Sequence, residues 1–301
     1  MKTNKKHLIS NPKYRISSYL PFTRNAIQTL LSYRSNILFY FIGNILKIFV
    51  FFFLWKAIFA SSGEEILRGF SFPDMVIYLI LTNFIYELSG NVGSEMHEEI
   101  SSGQISMSLI KPISFRFRIY FTSLGDTIYS FMMSGVPSLV ATYIIAYIYG
   151  ISSQLTIGNL FLFLLSLILS LIVRMSYTFI VSLLGFVTTN MFGVWQVNNA
   201  IVRLCSGAII PLTFFPGVIR KIFEFLPFSS FISTPLNIFL GKFSNIELLK
   251  AFGLQIFWIL LFNLFGNFVW KKVIKHLIIQ SSAAVSAVWN LLWSVPSGAI
   301  R

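Results

Sequence analysis

Charged residues are scarce in this chain of 301 residues, of which Asp, Glu, Lys and Arg together make up only 11%. A soluble domain usually carries about 25%, so this chain has too few charges to solvate a globule of its size. Hydrophobic residues make up 55%, and the mean hydropathy is +0.76. The composition therefore argues against a soluble domain and favours a polytopic membrane protein.

Residues that carry catalysis or bind metals are equally few. Cys205 is the only cysteine, which excludes an intrachain disulfide and a metal site built from several thiolates. The three histidines, His7, His97 and His276, are scattered without metal-ligand spacing. The sequence contains no G-x-x-x-x-G-K-[ST] motif and no aspartate cluster for diphosphate–magnesium chemistry. We predict no catalytic residue, no metal site and no cofactor bound by this chain.

Acidic residues number only 10 against 23 Lys and Arg, which gives a net charge of +13. The basic residues cluster near the N-terminus and after the last apolar segment (Lys2, Lys5, Lys6, Lys13, Arg15, Arg24 and Arg34; Lys271, Lys272 and Lys275). They do not share an amphipathic face with stacking aromatic residues, which argues against nucleic acid as a partner. Lys and Arg retained on the cytoplasmic side of a bilayer explain the balance better.

Long apolar segments occupy most of the chain, and a helix needs about 20 residues to cross a bilayer. The predicted spans are 37–59, 74–93, 119–149, 157–188, 199–215 and 250–270. Basic connectors prefer the cytoplasm, which places both termini and the connector after the second span inside. The external connector before the last span nevertheless carries three basic residues. The sequence thus predicts an all-α polytopic membrane protein with six transmembrane helices.

The domain organisation follows from these spans. Residues 1–36 form a cytoplasmic basic tail and an amphipathic helix, because Arg alternates there with Leu and aromatic residues. Residues 37–275 form the six-span domain. Residues 276–301 are assigned to a C-terminal tail, because the composition changes after residue 280 to a stretch typical of an expression remnant or a loosely docked segment.

A polar stretch, EEISSGQISMSLIKPIS, lies between the second and third spans. We expect a short helical turn that Gly103 ends and that Pro112 prevents from continuing. Its candidate residues are Glu95, Glu98 and Glu99, which give it an acidic side, followed by Gly103, Lys111 and Pro112. Lys111, Arg116 and Arg118 are expected to anchor its far end near anionic headgroups. An ordinary solvated loop is an equal alternative at this point.

A second stretch, residues 206–242, holds four of the ten prolines. Backbone broken by proline at membrane depth must be buried in protein or line a cavity. We therefore predict that the fifth span turns back here and that short helices re-enter from the outer face. The residues of this predicted outer gate are Pro211, Phe214, Phe215, Pro216, Pro227 and Pro235.

Five charged residues fall inside the predicted spans, namely Lys47, Glu87, Asp126, Arg174 and Arg203. Charges inside a membrane are rare and usually paired or facing water. One interpretation is a polar vestibule through which substrate enters. The other is snorkelling together with internal ion pairs, such as Glu87 with Lys47 or Arg174.

The two stretches together resemble the membrane permease of a type-2 ABC exporter, in the branch with a separate ATPase chain. The pattern E-I-x-x-G-x-I/L…L-x-K-P-I is matched by Glu99, Ile100, Gly103, Ile105, Leu109, Lys111, Pro112 and Ile113. The pattern I-P-L-x-F-F-P…L-P-F…P-x-x-x-x-x-G is matched by Ile210, Pro211, Leu212, Phe214, Phe215, Pro216, Leu226, Pro227, Phe228, Pro235 and Gly241. The resemblance covers about residues 15–275, including the number and order of the spans.

This resemblance implies roles that composition does not reveal. The polar stretch would couple the chain to two copies of a cytoplasmic ATPase that binds ATP and magnesium, with the amphipathic N-terminal segment as a connecting helix beside it. A second permease, identical or related, would complete a path for an amphipathic or hydrophobic substrate. The alternatives are a secondary transporter or channel that works without ATP, and a membrane enzyme acting on lipid. The latter lacks a catalytic constellation here.

Overall fold

The computed structural model describes residues 16–32, 34–88, 92–111, 113–149, 157–188 and 191–293, and describes only the backbone of residues 34–41 and 276–293. Its helices are α1 (Leu20–Ser32), α2 (Arg34–Ser62), α3 (Phe72–Glu87), α4 (Val92–Ser101), α5 (Ile105–Ile110), α6 (Phe115–Ser130), α7 (Val136–Ile148), α8 (Ile157–Ser182), α9 (Phe192–Cys205), α10 (Gly217–Phe225), α11 (Ser233–Phe239) and α12 (Asn245–Trp293). Two-residue strands, β1 (Ile66–Leu67) and β2 (Phe70–Ser71), pair in an antiparallel hairpin. The predicted all-α class is confirmed.

Short helical turns connect several of these helices. They are 3-10 turns at Ile16–Ser18, Leu183–Phe186, Leu212–Phe214 and Ser229–Phe231, and a π-helical turn at Phe131–Gly135 that joins α6 to α7. At the π-helical turn, a Cβ on Gly135 would lie 2.4 Å from the ring of Phe84 on α3. A glycine at this position therefore lets the turn between α6 and α7 pack directly against Phe84 of α3.

Five helical stretches within the described residues are long and apolar enough to cross a membrane, namely Ile42–Ser62, Phe72–Ser101, Phe115–Ile148, Ile157–Phe186 and Asn245–Lys275. The prediction of a helix over 199–215 is wrong in its bounds. Helix α9 has 14 residues, or about 21 Å at 1.5 Å per residue, which is shorter than the roughly 30 Å hydrocarbon core. It ends before Gly207, whose φ of +82° is a left-handed conformation that does not continue a helix.

Helix α3 lies at the centre of the bundle, and every residue from Met75 to Ile85 is buried. Its start is fixed by a capping box in which Ser71 and Asp74 each accept a hydrogen bond from the other's backbone N–H, at 3.3 Å. Because most of its circumference is apolar, it has to be covered on nearly every side. Helices α2, α7 and α11 all pack against it.

Helix α9 runs antiparallel to α3. It begins beside Gly93, where an added Cβ would lie 2.4 Å from the ring of Trp195. Further along, the Arg203 Nε donates a hydrogen bond of 3.0 Å to the Tyr86 hydroxyl. The helix thus runs from α4 to the C-terminal end of α3.

The chain continues in the same direction after α9 has ended. The Tyr78 hydroxyl donates a hydrogen bond of 2.6 Å to the carbonyl oxygen of Gly207. Further on, the ring of Phe214 lies 6.3 Å from that of Phe70, just before α3 begins. Residues 192–214 therefore extend from α4 to the residues just before α3, as a helix beside α4 and the end of α3 and as irregular chain along the rest of α3.

The last helix, α12, continues without a break past the predicted tail boundary at residue 276 and ends at Trp293. Its first part packs against α8. The predicted tail therefore begins inside a helix, and its last residues, 294–301, lie outside the described residues.

Candidate functional site

The α4–α5 element, residues 92–110, is seated on the bundle by apolar side chains. Met96 of α4 and Ile105 of α5 are buried in a cluster with Phe115 of α6 and Phe179 of α8. Full burial of such a side chain contributes about 1.5–3 kcal/mol. The element is therefore a packed structure, which favours the coupling interpretation over that of a solvated loop.

An ionic contact fixes the same element to α6. The Arg118 guanidinium lies 2.5 Å from a carboxylate oxygen of Glu99 and 3.8 Å from one of Glu95. Arg118 is only 6% exposed, whereas Glu98 points outward and is exposed. Of the three glutamates predicted to form an acidic outer side, only Glu98 is available to a partner, because the other two neutralise a buried arginine.

The prediction that Arg116 and Arg118 reach lipid headgroups is wrong, because both are buried. Arg116 joins α6 to α12 by donating hydrogen bonds to the side-chain oxygens of Asn263 (2.9 Å) and Asn267 (2.8 Å). Its guanidinium also lies 4.7 Å from the centre of the Phe179 ring. The two arginines thus hold the base of α6 inside the protein.

The turn between α4 and α5 depends on Gly103, which ends α4 as predicted with φ +73°. Helix α5 then presents two exposed apolar side chains, Met107 (69% exposed) and Ile110 (77%). Lys111 is exposed beside them, while the predicted stop at Pro112 lies outside the described residues. The exposed tip of the element is therefore apolar with a basic edge.

Gly103→Ala should loosen the turn between α4 and α5. A side chain in the left-handed region costs roughly 1–2 kcal/mol, although an added Cβ at Gly103 would meet no neighbouring atom. Hydrogen exchange over α4 and α5 should become faster, while exchange in α8 stays unchanged. Gly158→Ala, also without a close neighbour but in helical backbone, is the matched control. Unchanged exchange in the Gly103 variant would show that the turn tolerates any residue.

Helix α1 lies against the start of α6, next to the α4–α5 element. The Tyr19 hydroxyl accepts a hydrogen bond of 3.0 Å from the Ser114 amide, and Thr23 Oγ1 donates one of 2.6 Å to the carbonyl of Phe121. At Gly125 an added Cβ would lie 2.5 Å from the carbonyl oxygen of Thr23. These contacts fix α1 against α6, the helix that follows the element in the chain. Its location on a membrane surface stays a prediction.

The second candidate region is the proline-rich segment, residues 206–242, where each proline lies at or just before the start of a short helix. Pro211 precedes the 3-10 turn Leu212–Phe214, and Pro216 is the N-cap of α10. Pro227 comes just before the next 3-10 turn, and Pro235 lies in the first turn of α11. A missing N–H is tolerated at a helix start because that donor has no helical partner.

The predicted gate residues Phe214 and Phe215 lie in different surroundings. The Phe214 ring is 5.3 Å from that of Trp55 on α2 and is half-buried. The Phe215 ring packs instead against Phe223 of α10, at 5.1 Å. Phe214 thus joins the segment to the bundle, while Phe215 stabilises α10 on the surface.

The segment returns into the bundle at the 3-10 turn Ser229–Phe231. Ser170 of α8 donates its hydroxyl to the carbonyls of Ser230 and, at 3.0 Å, of Phe231. Gln255 of α12 is fully buried and donates to the Ser230 carbonyl at 3.3 Å. It also contacts Ser166 of α8, donating to its hydroxyl at 3.0 Å. Non-helical backbone deep in the bundle is thus hydrogen-bonded to protein, as it has to be where water is absent.

The segment is also fastened near the start of α3. The Lys242 ammonium lies 3.2 Å from a carboxylate oxygen of Asp74 and 2.5 Å from the carbonyl oxygen of Gly69. It also lies 3.8 Å from the centre of the Phe70 ring. The proline-rich segment therefore starts beside α3, descends into the bundle at residues 229–231, and returns to the α3 N-terminus.

Three of the predicted intramembrane charges converge on one aromatic ring, that of Tyr86 on α3. The Arg203 and Arg174 guanidinium carbons lie 4.9 and 5.0 Å from the ring centre, and the Lys47 ammonium lies 5.6 Å from it. Arg174 also donates a hydrogen bond of 3.3 Å to the Tyr86 carbonyl. Helices α2, α8 and α9 each contribute one cation to this group, which we call the Tyr86 cluster.

The predicted ion pairs of Glu87 with Lys47 or Arg174 do not form within 4.0 Å. Lys47 donates instead to the side-chain oxygen of Asn83, at 2.6 Å. Among the described residues, the three cations of the Tyr86 cluster form no salt bridge within 4.0 Å. Glu87 acts on Lys47 and Arg174 at longer range. The fifth predicted charge, Asp126, is half-buried on α6 and acts on Glu95.

Cavities lie on both sides of the Tyr86 cluster. A cavity of about 250 Å³ is lined by Arg174, Tyr177, Trp195 and Asn198, with Phe231 from the proline-rich segment. A second cavity of about 170 Å³ is lined by ten residues, Lys47, Ile48, Phe51, Leu79, Thr82, Asn83, Tyr86, Arg203, Ala208 and Ile209. The 3-10 turn of the proline-rich segment therefore reaches a cavity that is lined by polar side chains of α8 and α9.

The sequence analysis missed Tyr86 and Asn83, although they share a face of α3 with Glu87. An Asn and a Glu spaced four residues apart in an apolar helix, with a Tyr between them, form a polar stripe. That spacing was the signal available, because such residues are costly inside a membrane unless they meet polar partners.

Comparison with known proteins gives one match. The family model described as ABC-2 family transporter protein matches residues 45–281, which is more than three quarters of the chain. The matched region includes the α4–α5 element, the proline-rich segment and the Tyr86 cluster. No curated protein matches the chain.

Proposed function

This chain belongs to the ABC-2 transporter family, and we propose that it is the transmembrane subunit of an ATP-driven exporter. In this proposal two cytoplasmic ATPase subunits bind ATP and magnesium, and a second permease, identical or related, completes the path. The substrate is amphipathic or hydrophobic. The observation that carries the proposal is the α4–α5 element, which combines a base fixed in the bundle with an exposed apolar tip.

The base of the element can transmit force because it is stiff. Arg118 joins α4 to α6 through Glu95 and Glu99, and Arg116 joins α6 to α12. A displacement of α5 therefore reaches two membrane-crossing helices without first stretching a flexible loop. The exposed Met107 and Ile110 supply the apolar centre that a protein interface needs, surrounded by polar side chains.

The proposed topology has six crossings with both termini in the cytoplasm of a bacterial cell. Five crossings are the long apolar helices. The remaining crossing is α9 followed by the irregular chain to Phe214, which together run from α4 to the N-terminal end of α3. The contact of Ser229–Phe231 with α8 and α12 supports the proposal that the proline-rich segment re-enters from the outer face.

Met107→Glu together with Ile110→Glu should abolish association with the ATPase. Two carboxylates at the centre of a docking surface have to be desolvated without partners, at a cost of several kcal/mol. The amount of ATPase that co-purifies with the membrane chain should fall at least tenfold, and export should fall with it. Ile66→Glu, at an exposed apolar site at the opposite end of α3 (63% exposed), is the control. An ATP-independent transporter would bring down no ATPase even in its native form.

A further inference from the structure

The Tyr86 cluster is unusual because its charge is not balanced inside the protein. Three cations surround one ring, and Glu87, next to Tyr86 in the chain, forms no ion pair within 4.0 Å with any of them. All ten acidic residues of the chain lie in its described part, and none lies within salt-bridge distance of the three cations. Uncompensated positive charge in a membrane is costly, so a role in binding an anion is favoured.

The cations also have unused hydrogen-bonding capacity. The Lys47 ammonium has three N–H donors and uses one on Asn83. The Arg203 guanidinium has five donors and uses its Nε on the Tyr86 hydroxyl. Both side chains are exposed at the surface of the bundle. Among the described residues, their remaining N–H groups have no hydrogen-bond partner, which leaves them available to a phosphate or carboxylate, for which guanidinium offers paired donors.

The adjoining cavity determines what else such a ligand carries. Lys47, Asn83 and Arg203 provide its polar part, and the apolar part includes Phe51 and Ile209. A small soluble anion would leave the apolar wall without a partner. A molecule with an anionic head and a hydrocarbon tail matches both parts.

We propose that the Tyr86 cluster binds a membrane-embedded anionic amphiphile. Lys47 and Arg203 hold its phosphate or carboxylate head, and the apolar wall of the adjoining cavity holds its hydrocarbon tail. This inference rests on the proposed function in one respect: such amphiphiles are the substrate class only if the chain is part of an exporter. The recognition itself depends only on the cations and the cavity. It can therefore be measured on this chain without the ATPase.

The test measures binding of fluorescent lysophosphatidic acid, lysophosphatidylcholine with the same acyl chain, and inorganic phosphate as a competitor. Fluorescence anisotropy is recorded with the purified full-length chain in a neutral detergent. We expect lysophosphatidic acid to bind at least tenfold more tightly than lysophosphatidylcholine, because only its head has net negative charge to pair with the cluster. Inorganic phosphate should compete poorly, because it lacks a tail.

Arg203→Gln and Lys47→Gln should each weaken lysophosphatidic acid binding about tenfold, the value of one charge-assisted hydrogen bond. Both sites are exposed, so folding should be preserved, and Arg203→Lys should restore part of the affinity. Arg220→Gln removes the same charge from the surface of α10, where Arg220 already pairs with Glu224 at 2.6 Å, and should have no effect.

Equal affinity for the two lysolipids, or equal loss in the Arg220 variant, would overturn the proposal. Competition by inorganic phosphate at the affinity of the lipid would overturn the amphiphile as ligand. Selective lysophosphatidic acid binding by a chain that does not co-purify with an ATPase would support the proposed role of the Tyr86 cluster and refute ATP-driven export. Association with the ATPase without selective lipid binding would support ATP-driven export and refute the proposed role of the Tyr86 cluster.

Discussion

Arg118→Met is expected to detach the α4–α5 element from α6 and to abolish export. The substitution leaves Glu99 and Glu95 without their cation in a site where Arg118 is only 6% exposed. Removing one partner of a buried ion pair costs about 3–5 kcal/mol. Hydrogen exchange over α4 and α5 should rise sharply in the purified protein. Substrate-stimulated ATP hydrolysis by the assembled complex should fall at least tenfold.

Two further variants separate this effect from general damage. Glu98→Gln alters the exposed neighbour and should change stability by no more than about 0.5 kcal/mol. Adding Glu99→Gln to Arg118→Met removes one of the uncompensated charges and should recover part of the lost stability. If Arg118→Met behaves like Glu98→Gln, the ion pair does not hold the element and the coupling mechanism is wrong.

The class of the fold and the position of the α4–α5 element could be predicted because both depend on composition and on local stop signals. Long apolar runs require helices in a bilayer, and Gly103 ends α4 in the conformation expected of glycine. The direction in which the glutamates point could not be predicted. It depends on Arg118, which lies 19 residues after Glu99, so only the packing of α4 on α6 reveals that contact.

The fifth crossing and the intramembrane cations show a second limit of sequence reasoning. The predicted span over 199–215 overlooked Gly207, where the left-handed backbone ends α9, because apolar residues continue beyond it to Phe215. Charge pairing between Glu87 and Lys47 is the simplest expectation for ionic residues in lipid. The structure instead brings the cations to Tyr86, since an aromatic face also attracts cations and carries no charge of its own.

The prolines of the proline-rich segment predict broken helices, but they do not show what stabilises the breaks. Two helices far away in sequence perform that role. Ser170 of α8 and Gln255 of α12 donate to carbonyls that no helix satisfies. The proline-rich segment, predicted to be an outer gate, thus depends on polar residues that are themselves buried in the bundle. A substitution at one of them tests that prediction more directly than one at an exposed proline such as Pro216.

Gln255→Leu is accordingly expected to disable the proline-rich segment while leaving the rest of the chain intact. The amide donates to Ser230 and Ser166 from a fully buried position. Leucine has a similar volume but offers no donor, and each buried polar group left unsatisfied costs about 1–3 kcal/mol. The backbone at residues 229–231 should then open, and export should fall at least tenfold. Limited proteolysis between 216 and 242 in reconstituted vesicles should accelerate.

The same variant should still bind the ATPase, because the Arg118 contact lies at the other end of the bundle. Trp258→Phe is the matched control, since it removes a single hydrogen bond of 3.1 Å to the Phe225 carbonyl at a half-buried site on the same helix. It should reduce export by no more than about threefold, in keeping with a net value of about 0.5–1.5 kcal/mol for such a bond in a partly hydrated site. Native export and native proteolysis in Gln255→Leu would mean that the segment is only a structural cover, because a gate whose buried backbone has lost its partner cannot open and close at the native rate.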